Sequence, residues 1–460
     1  MSTVLFPPIL APRARRAFRL LAASAAALAL TLAAPTPAGA IGLYQDGAGG
    51  RAAGIAGAGT AVADDPLSAL FNNPAALADL GLRPQAQLGV VGGVADGYFH
   101  GRTNDDADIG SVGVIGNTAA AVPVGPVTLG VGLNPDIAAR VNGRYNDAPG
   151  GADGATTYGS RRNASELIVL RGAVGAGYKL APNCFIGLTI GLLYNVNRLD
   201  TNFVFQSQKT LRTVKTRLDL DTDGFGYNFQ TGLRWRPVPD VTLNVSYTSR
   251  SQVQSYGRAT GNARRQLFNL GLGGARPDFG YDAQVTNDFP QIVNAGLTWQ
   301  PRQVKGLTLA AQFDWIEWSQ AFNDLPVRLR NGNNADLNGL VGASKLADRG
   351  PLRWRDQSTG RGGVEQLFGQ HWAVRAGYAY STHPVPDSTL TPLTPVLAEH
   401  LLTLGGGYRV GRVRIDGAYQ WQLPATGRVA GRSALLAGEY DRSVTSVQSH
   451  IFTLSATVAF

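Results

Sequence analysis

Cysteine and methionine are almost absent from this 460-residue chain: Cys184 and Met1 are the only ones. A single cysteine excludes an internal disulfide and a cysteine-based metal site. Long apolar runs are missing too. Beyond Ile41 no run reaches the length of roughly 18 residues that marks a membrane-spanning helix. No block of Lys or Arg gives the footprint of a nucleic-acid binder. No G-x-S-x-G nucleophile motif accompanies the five histidines, so enzymatic chemistry is not expected, and neither a cofactor nor a metal is expected. Glycine is abundant instead. The 58 glycines are scattered without a G-X-Y period, which excludes collagen.

The first forty residues carry export information. Arg13, Arg15, Arg16 and Arg19 precede the apolar stretch Leu20 to Ala34, and Ala38-Gly39-Ala40 follows as a small-x-small cleavage signal. The stretch is short for a membrane anchor, which needs about 20 apolar residues. A secretory leader over 1–40 and a mature start at Ile41 are therefore expected. Losing those four arginines takes the net charge from +9 to +5, mild for a chain of about 420 residues.

What the mature chain shows repeatedly is a period of two. Val241, Leu243, Val245 and Tyr247 alternate with Thr242, Asn244 and Ser246. Val413, Ile415, Gly417, Tyr419 and Trp421 oppose Arg414, Asp416, Ala418, Gln420 and Gln422, and residues 374–381 repeat the device. Such alternation means strands with one apolar and one polar face. A soluble sandwich and a membrane barrel both satisfy it. Three features favour the barrel. The apolar sets are long enough for a tilted spanning strand. Trp235, Tyr247, Trp299, Trp315, Tyr408 and Trp421 stand at strand ends like an interfacial girdle. The opposite faces are mostly Gly, Ala, Thr and Asn, suited to a crowded lumen. The last strand, "HIFTLSATVAF", puts Val458 and the terminal Phe460 on one face and resembles the signal read by the outer-membrane barrel assembly machinery. The expected fold is an all-β antiparallel outer-membrane barrel in a Gram-negative cell, surrounded by outer-membrane lipid and lipopolysaccharide. Residues 83–460 allow roughly 12 to 16 strands, with an even count. Long polar stretches such as 197–222, 250–288 and 320–370 are expected as extracellular loops; 178–183 and 236–240 as periplasmic turns. Loop 320–370 reads either as an amphipathic cap or as a disordered, lipopolysaccharide-facing loop.

Ahead of the strands lies "DDPLSALFNNPAALADLG" (64–81). Asp65-Pro66 predicts an N-cap followed by proline at the first helical position, and Asn73-Pro74 repeats it. Leu67, Leu70 and Phe71 share one face, and Gly81 ends the stripe. Upstream, residues 47–64 are rich enough in Gly and Ala to thread close to other backbone. A compact segment over 41–82 is expected to plug the barrel interior; a periplasmic extension is the alternative.

The segment "GRAAGIAGAGTAVADDPLSALFNNPAAL", with its Ala63-Asp64-Asp65 and Asn73-Pro74-Ala75 elements, resembles the FadL/TodX family of outer-membrane transporters for long-chain fatty acids and other hydrophobic compounds. The stretches 288–320 and 372–408 strengthen the resemblance, which covers essentially the whole mature chain. The resemblance implies a monomeric 14-stranded barrel with an N-terminal hatch, in which Asp64, Asp65, Phe71, Asn73, Pro74 and Ala75 lie. It also implies ligand capture on loops, an interior pocket, and lateral exit at a kink in the third strand. Independently, the expected third strand (126–141) alternates through Leu133 and then meets Asn134-Pro135-Asp136, where proline cannot join a ladder. Either the strand kinks there or it ends and turns. Arg171, Arg234, Arg375 and Arg414 are expected to face the lumen. Each either meets a ligand carboxylate, with Arg375 and Arg171 the chosen candidates, or pairs with an acid such as Asp314 or Asp416. A general diffusion porin is the competing reading, and the sequence does not decide between fatty-acid and aromatic substrates.

Overall fold

The computed structural model describes residues 43–436 and 438–460; the expected leader and Ile41 lie outside them. Alternation becomes eighteen strand segments. These are β1 (Gln85–Gly101), β2 (Asn104–Val124), β3 (Val127–Asn146), β4 (Ser160–Ala181), β5 (Cys184–Val204), β6 (Lys215–Val238), β7 (Val241–Thr248), β8 (Ser251–Asn262) and β9 (Asp278–Phe289). They continue with β10 (Ile292–Trp299), β11 (Leu307–Ile316), β12 (Asp324–Arg330), β13 (Leu346–Pro351), β14 (Gln357–Phe368), β15 (Trp372–Ser381), β16 (His400–Val410), β17 (Val413–Arg428) and β18 (Val444–Ala459). Among the described residues, no helix is long and apolar enough to cross a membrane.

Four pairs of these segments are halves of one wall strand. β6 pairs with β7 along its lower half and with β8 along its upper half. β9 and β10, β11 and β12, and β13 and β14 continue the same arrangement. The wall therefore has 14 strands. β18 pairs with β1 from Gln85↔Ala459 to His100↔Val444, closing the barrel and leaving no free edge. The Phe460 amide donates to the Pro84 carbonyl at 2.9 Å, so the aromatic terminus sits beside the first strand.

The outward face of β6 shows where the bilayer ends. Phe225, Tyr227, Phe229, Leu233 and Trp235 face lipid, whereas Asp219, Asp221 and Asp223 continue the same face above them. Following the ladder register, Arg140, Glu166, Arg198, Asp221, Arg258, Asp282 and Arg330 stand opposite one another strand by strand. Alternating charge in register supports the pairing of a wall no longer bathed in lipid. The stretches 197–222, 250–288 and 320–370 are thus largely wall rather than irregular loop. Leu218, Leu220, Tyr281, Val285 and Leu329 turn inward there and pack as a second core.

Where the four strands break, at 249–250, 290–291, 317–323 and 352–356, side chains turn into the lumen. Trp318, Phe322 and Trp354 meet there with ring centroids 4.8 to 5.1 Å apart. Tyr44 of the N-terminal segment joins at 5.5 Å from Trp318. Residues 43–80 fill the lumen below this aromatic cluster. Helix Pro66–Phe71 is capped by Asp65, whose side chain accepts from the Ser68 amide at 2.9 Å. The 3-10 helix Pro74–Asp79 is capped by Asn73 in the same way through the Ala75 amide at 3.1 Å. Both start with proline, which supplies helical φ where no N–H partner exists. The segment touches the wall on all sides. Two wall glycines make that possible: a Cβ on Gly187 would come within 2.2 Å of the Pro74 backbone, and one on Gly363 within 2.2 Å of Ile55.

Candidate functional site: an apolar cavity above a charge-bolted plug and beside a wall seam

The third strand does not end at Asn134; it bulges. Against β4 the pairing runs through Pro135↔Leu170, skips Asp136, and resumes at Ile137↔Val169. Against β2 it stops after Thr118↔Leu133 and resumes at Gly110↔Asn142. Asp136 is the one extra residue, and proline without an N–H beside a bulge is where a ladder yields. Between 111–117 of β2 and 134–141 of β3 there is no ladder, although β2 stays paired with β1 and β3 with β4. The seam is clipped at its ends by side chains: Asn117 donates to Asn134 at 3.3 Å and Asn142 to the Gly110 carbonyl at 2.8 Å. Ala138 packs against Val91, Ile115 and Ile451, so β3 runs inside the curve of β1 and β2 here. The N-terminal segment lies on the same stretch. Tyr44 bridges to Ile137, and the Gln45 amide donates to the Asp136 carbonyl at 2.9 Å.

Above the plug is an apolar cavity of about 340 Å³, lined by Leu43, Phe322, Trp354, Val396 and Leu397 among others and reaching Ala139 and Arg140 beside the seam. Its size and lining fit a small hydrophobic ligand. Below the aromatic cluster a polar chamber of about 110 Å³ lies between plug and wall, with Asn72, Asn228 and Gln230 around Arg171 and Asp136.

Charge holds the plug. Arg51 pairs with Asp64 at 2.7 Å and with Glu365 at 2.6 Å; Glu365 with Arg375 at 2.6 Å; Arg375 with Asp416 at 2.9 Å. Arg414 closes the ring, pairing with Asp416 at 2.8 Å, Asp65 at 3.3 Å and Asp64 at 3.4 Å. The ring holds three guanidiniums and four carboxylates. Burial works against Asp64, but Arg51 and Arg414 hold it below its usual value, whereas burial lifts neighbouring Asp65 to about 6 despite Arg414. Arg361 holds Asp46 at 2.7 Å, and Arg234 holds Asp79 at 2.9 Å and the Ala63 carbonyl at 2.7 Å.

The four arginines expected in the lumen are all there, and each binds the plug or its ring. Arg375 lies within the ring and lines neither cavity. Arg171 pairs with Asp136 at 3.0 Å, donates to the Phe71 carbonyl at 3.0 Å, and lies 5.1 Å over the Phe71 ring. It joins kink and plug, which the sequence treated separately. Asn73 donates to Asn244 at 3.2 Å, anchoring the "NPA" element to β7. Phe460 and Val458 lie far from the cavity, at the barrel's closing edge. What the sequence does not show is the aromatic cluster, because nothing in the alternation marks a break that turns Trp318 or Trp354 inward.

The cavity's extracellular rim carries a buried cluster. Lys215 Nζ lies 2.5 Å from both Asp147 and Glu439 and donates to the Ala148 carbonyl at 2.7 Å. Burial, reinforced by Asp147 and only partly offset by Lys215, pushes the Glu439 carboxyl up to about 8. The docked loop 429–443 therefore binds more protons than the undocked loop between the ordinary glutamate value of about 4.5 and about 8. Docking weakens as pH rises through that window. Hydrogen exchange of loop peptides is expected to show on the order of a hundredfold more opening at pH 8.5 than at pH 5.5 after correction for intrinsic rates, and Glu439→Gln is expected to flatten that difference.

Comparison with known proteins settles the family. The model of the outer membrane protein transport family (OMPP1/FadL/TodX) matches residues 29–460. The chain belongs to that family. A Pseudomonas aeruginosa FadL homologue superposes with a TM-score of 0.72 at 21% identity, covering 91% of this chain and 100% of the homologue. The Pseudomonas putida toluene transporter TodX gives 0.69 at 19% identity over 93% of this chain and 100% of TodX. The Ralstonia pickettii toluene transporter TbuX gives 0.67 at 19% identity over 90% and 99%. At these identities the likeness shows the fold. No curated protein matches. As a FadL/TodX-family barrel, the chain is a protein of the Gram-negative outer membrane, in a family of transporters rather than enzymes.

Proposed function

We propose that this protein takes up long-chain fatty acids or other hydrophobic small molecules across the outer membrane and releases them sideways through the β2–β3 seam. The single observation that carries this reading is the apolar cavity reaching a gap in the wall ladder while residues 43–80 fill the lumen beneath it. Exposed Phe268, Leu270, Leu272 and Leu340 at the extracellular tip offer a first contact. The ligand then loses water in the cavity, gaining about 0.8 kcal/mol per CH₂. Continuing down an aqueous route would forfeit that gain, whereas the seam leads to lipid. Arg171, bound to Asp136 and to the Phe71 carbonyl, ties the bulge to the hatch, so movement of one loosens the other. A diffusion porin has no use for a lumen held shut by buried ion pairs.

Binding of a fluorescent fatty acid and of toluene to the purified protein in nanodiscs tests the cavity. Leu397→Glu places an unpaired carboxylate among apolar side chains and is expected to weaken binding about tenfold or more. Wild-type affinity in that variant, or no binding of either ligand to the wild type, overturns the proposal.

A further inference from the structure

The periplasmic end of the barrel is strongly basic. Arg83, Lys179, Lys305, Arg409 and Arg412 are exposed at or beside its short turns, and among the described residues none of them is ion-paired. Arg302 there pairs with Asp240 at 2.6 Å, and Arg236 with Asp79 at 2.9 Å. Both acids are therefore already committed to other arginines. The five free cations are not one patch. Arg83 lies where β18 meets β1, Lys179 at the β4–β5 turn, Lys305 at the β10–β11 turn, and Arg409 and Arg412 at the β16–β17 turn. Around fourteen wall strands this is a collar.

Directly above the collar stand lipid-exposed Tyr178, Trp235, Trp299, Trp372, Tyr408 and Phe460. Aromatic rings settle at the headgroup level. Long cationic side chains beside them reach the polar layer while their stems stay in apolar contact. We infer that this collar binds anionic phospholipid headgroups of the inner leaflet of the outer membrane. The annular spread decides the occupant: a globular acidic partner covers one side of a barrel end, whereas a leaflet meets all of it at once. Each cation near an anionic membrane surface biases binding by about fivefold, and the bias weakens with salt. The collar fixes the barrel's depth and tilt and keeps its lower rim seated in lipid. This inference does not depend on the transported compound.

The test is retention of lipid by the full mature protein exchanged into mixed micelles of phosphatidylethanolamine and phosphatidylglycerol, read by mass spectrometry of the protein–lipid complexes. The wild type is expected to retain phosphatidylglycerol about fivefold or more over its share of the mixture, and to lose the preference in high salt. A variant with Arg83, Lys179, Lys305, Arg409 and Arg412 all changed to Gln, checked as folded by its heat-modifiable gel migration, is expected to show none. Changing extracellular Arg258 and Arg330 to Gln is the folded control and keeps the preference. Equal retention of both lipids by the wild type overturns the inference, as does an undiminished preference in the five-residue variant.

Discussion

Deleting residues 43–80 converts this barrel from a tight wall into an ion-conducting pore, raising single-channel conductance about tenfold or more. A wall of 14 strands encloses more space than inward side chains fill; an eight-stranded barrel is about the largest that they fill. Here the space is taken by the hatch, whose Ala52, Ile55, Ala58, Leu67, Leu70 and Leu77 are fully buried. Removing it leaves Arg375, Arg414, Glu365 and Asp416 facing water, where they stay paired and wet the lumen. A milder version is Arg51→Met, which strips Glu365 and Asp64 of a shared partner and leaves the buried Glu365 carboxylate short of countercharge. Losing one partner of a buried pair costs about 3–5 kcal/mol, enough to loosen the hatch without removing it. Planar-bilayer recording reads both variants: a large steady conductance for the deletion and intermittent openings for Arg51→Met. Unchanged conductance in the deletion would mean that the hatch does not seal the barrel.

Closing the seam is the second large effect. Asp136 is the only extra residue in β3 relative to both neighbours, so removing it puts 134–141 in register with β2 and β4 together. Proline at 135 still lacks a donor, so the variant combines Asp136 deletion with Pro135→Val. New ladder bonds between β2 and β3 then replace the gap, and uptake of a hydrophobic compound is expected to fall about tenfold or more. Each such bond contributes about 0.5–1.5 kcal/mol, so several in a row also raise the melting temperature. Deletion also removes the ion partner of Arg171. Asp136→Asn separates the two consequences, because it keeps the bulge while losing the charge, and it is expected to retain most uptake.

The membrane-spanning wall was legible because lipid enforces a strict apolar–polar alternation. β7 emerged at Val241–Thr248, where the alternation ran over 241–247. Above the bilayer the same wall has Asp282 and Arg258 outside with Ala259, Tyr281 and Val285 inside. Its polarity is reversed, and in sequence it looks like loop. The helical starts at Asp65-Pro66 and Asn73-Pro74 were legible because capping is local. Pro135 marked the kink, but only the register with two neighbouring strands shows that Asp136 is the surplus residue. The lumen arginines lie on the face that the alternation gives, and Asp416, legible as a wall acid, does pair with Arg375 and Arg414, but the partners contributed by the N-terminal segment were not readable. Arg51 and Glu365 are 314 residues apart in the chain, a distance across which local pattern carries no signal.

The central claim is that ligand leaves through the wall and not through the floor. The most direct measurement places the purified protein in lipid vesicles, loads it with a fluorescent fatty acid, and compares binding with transfer into the bilayer for the wild type and the closed-seam variant. Unchanged binding with transfer slowed about tenfold or more is the predicted result. Transfer at the wild-type rate through a wall with no seam would contradict it.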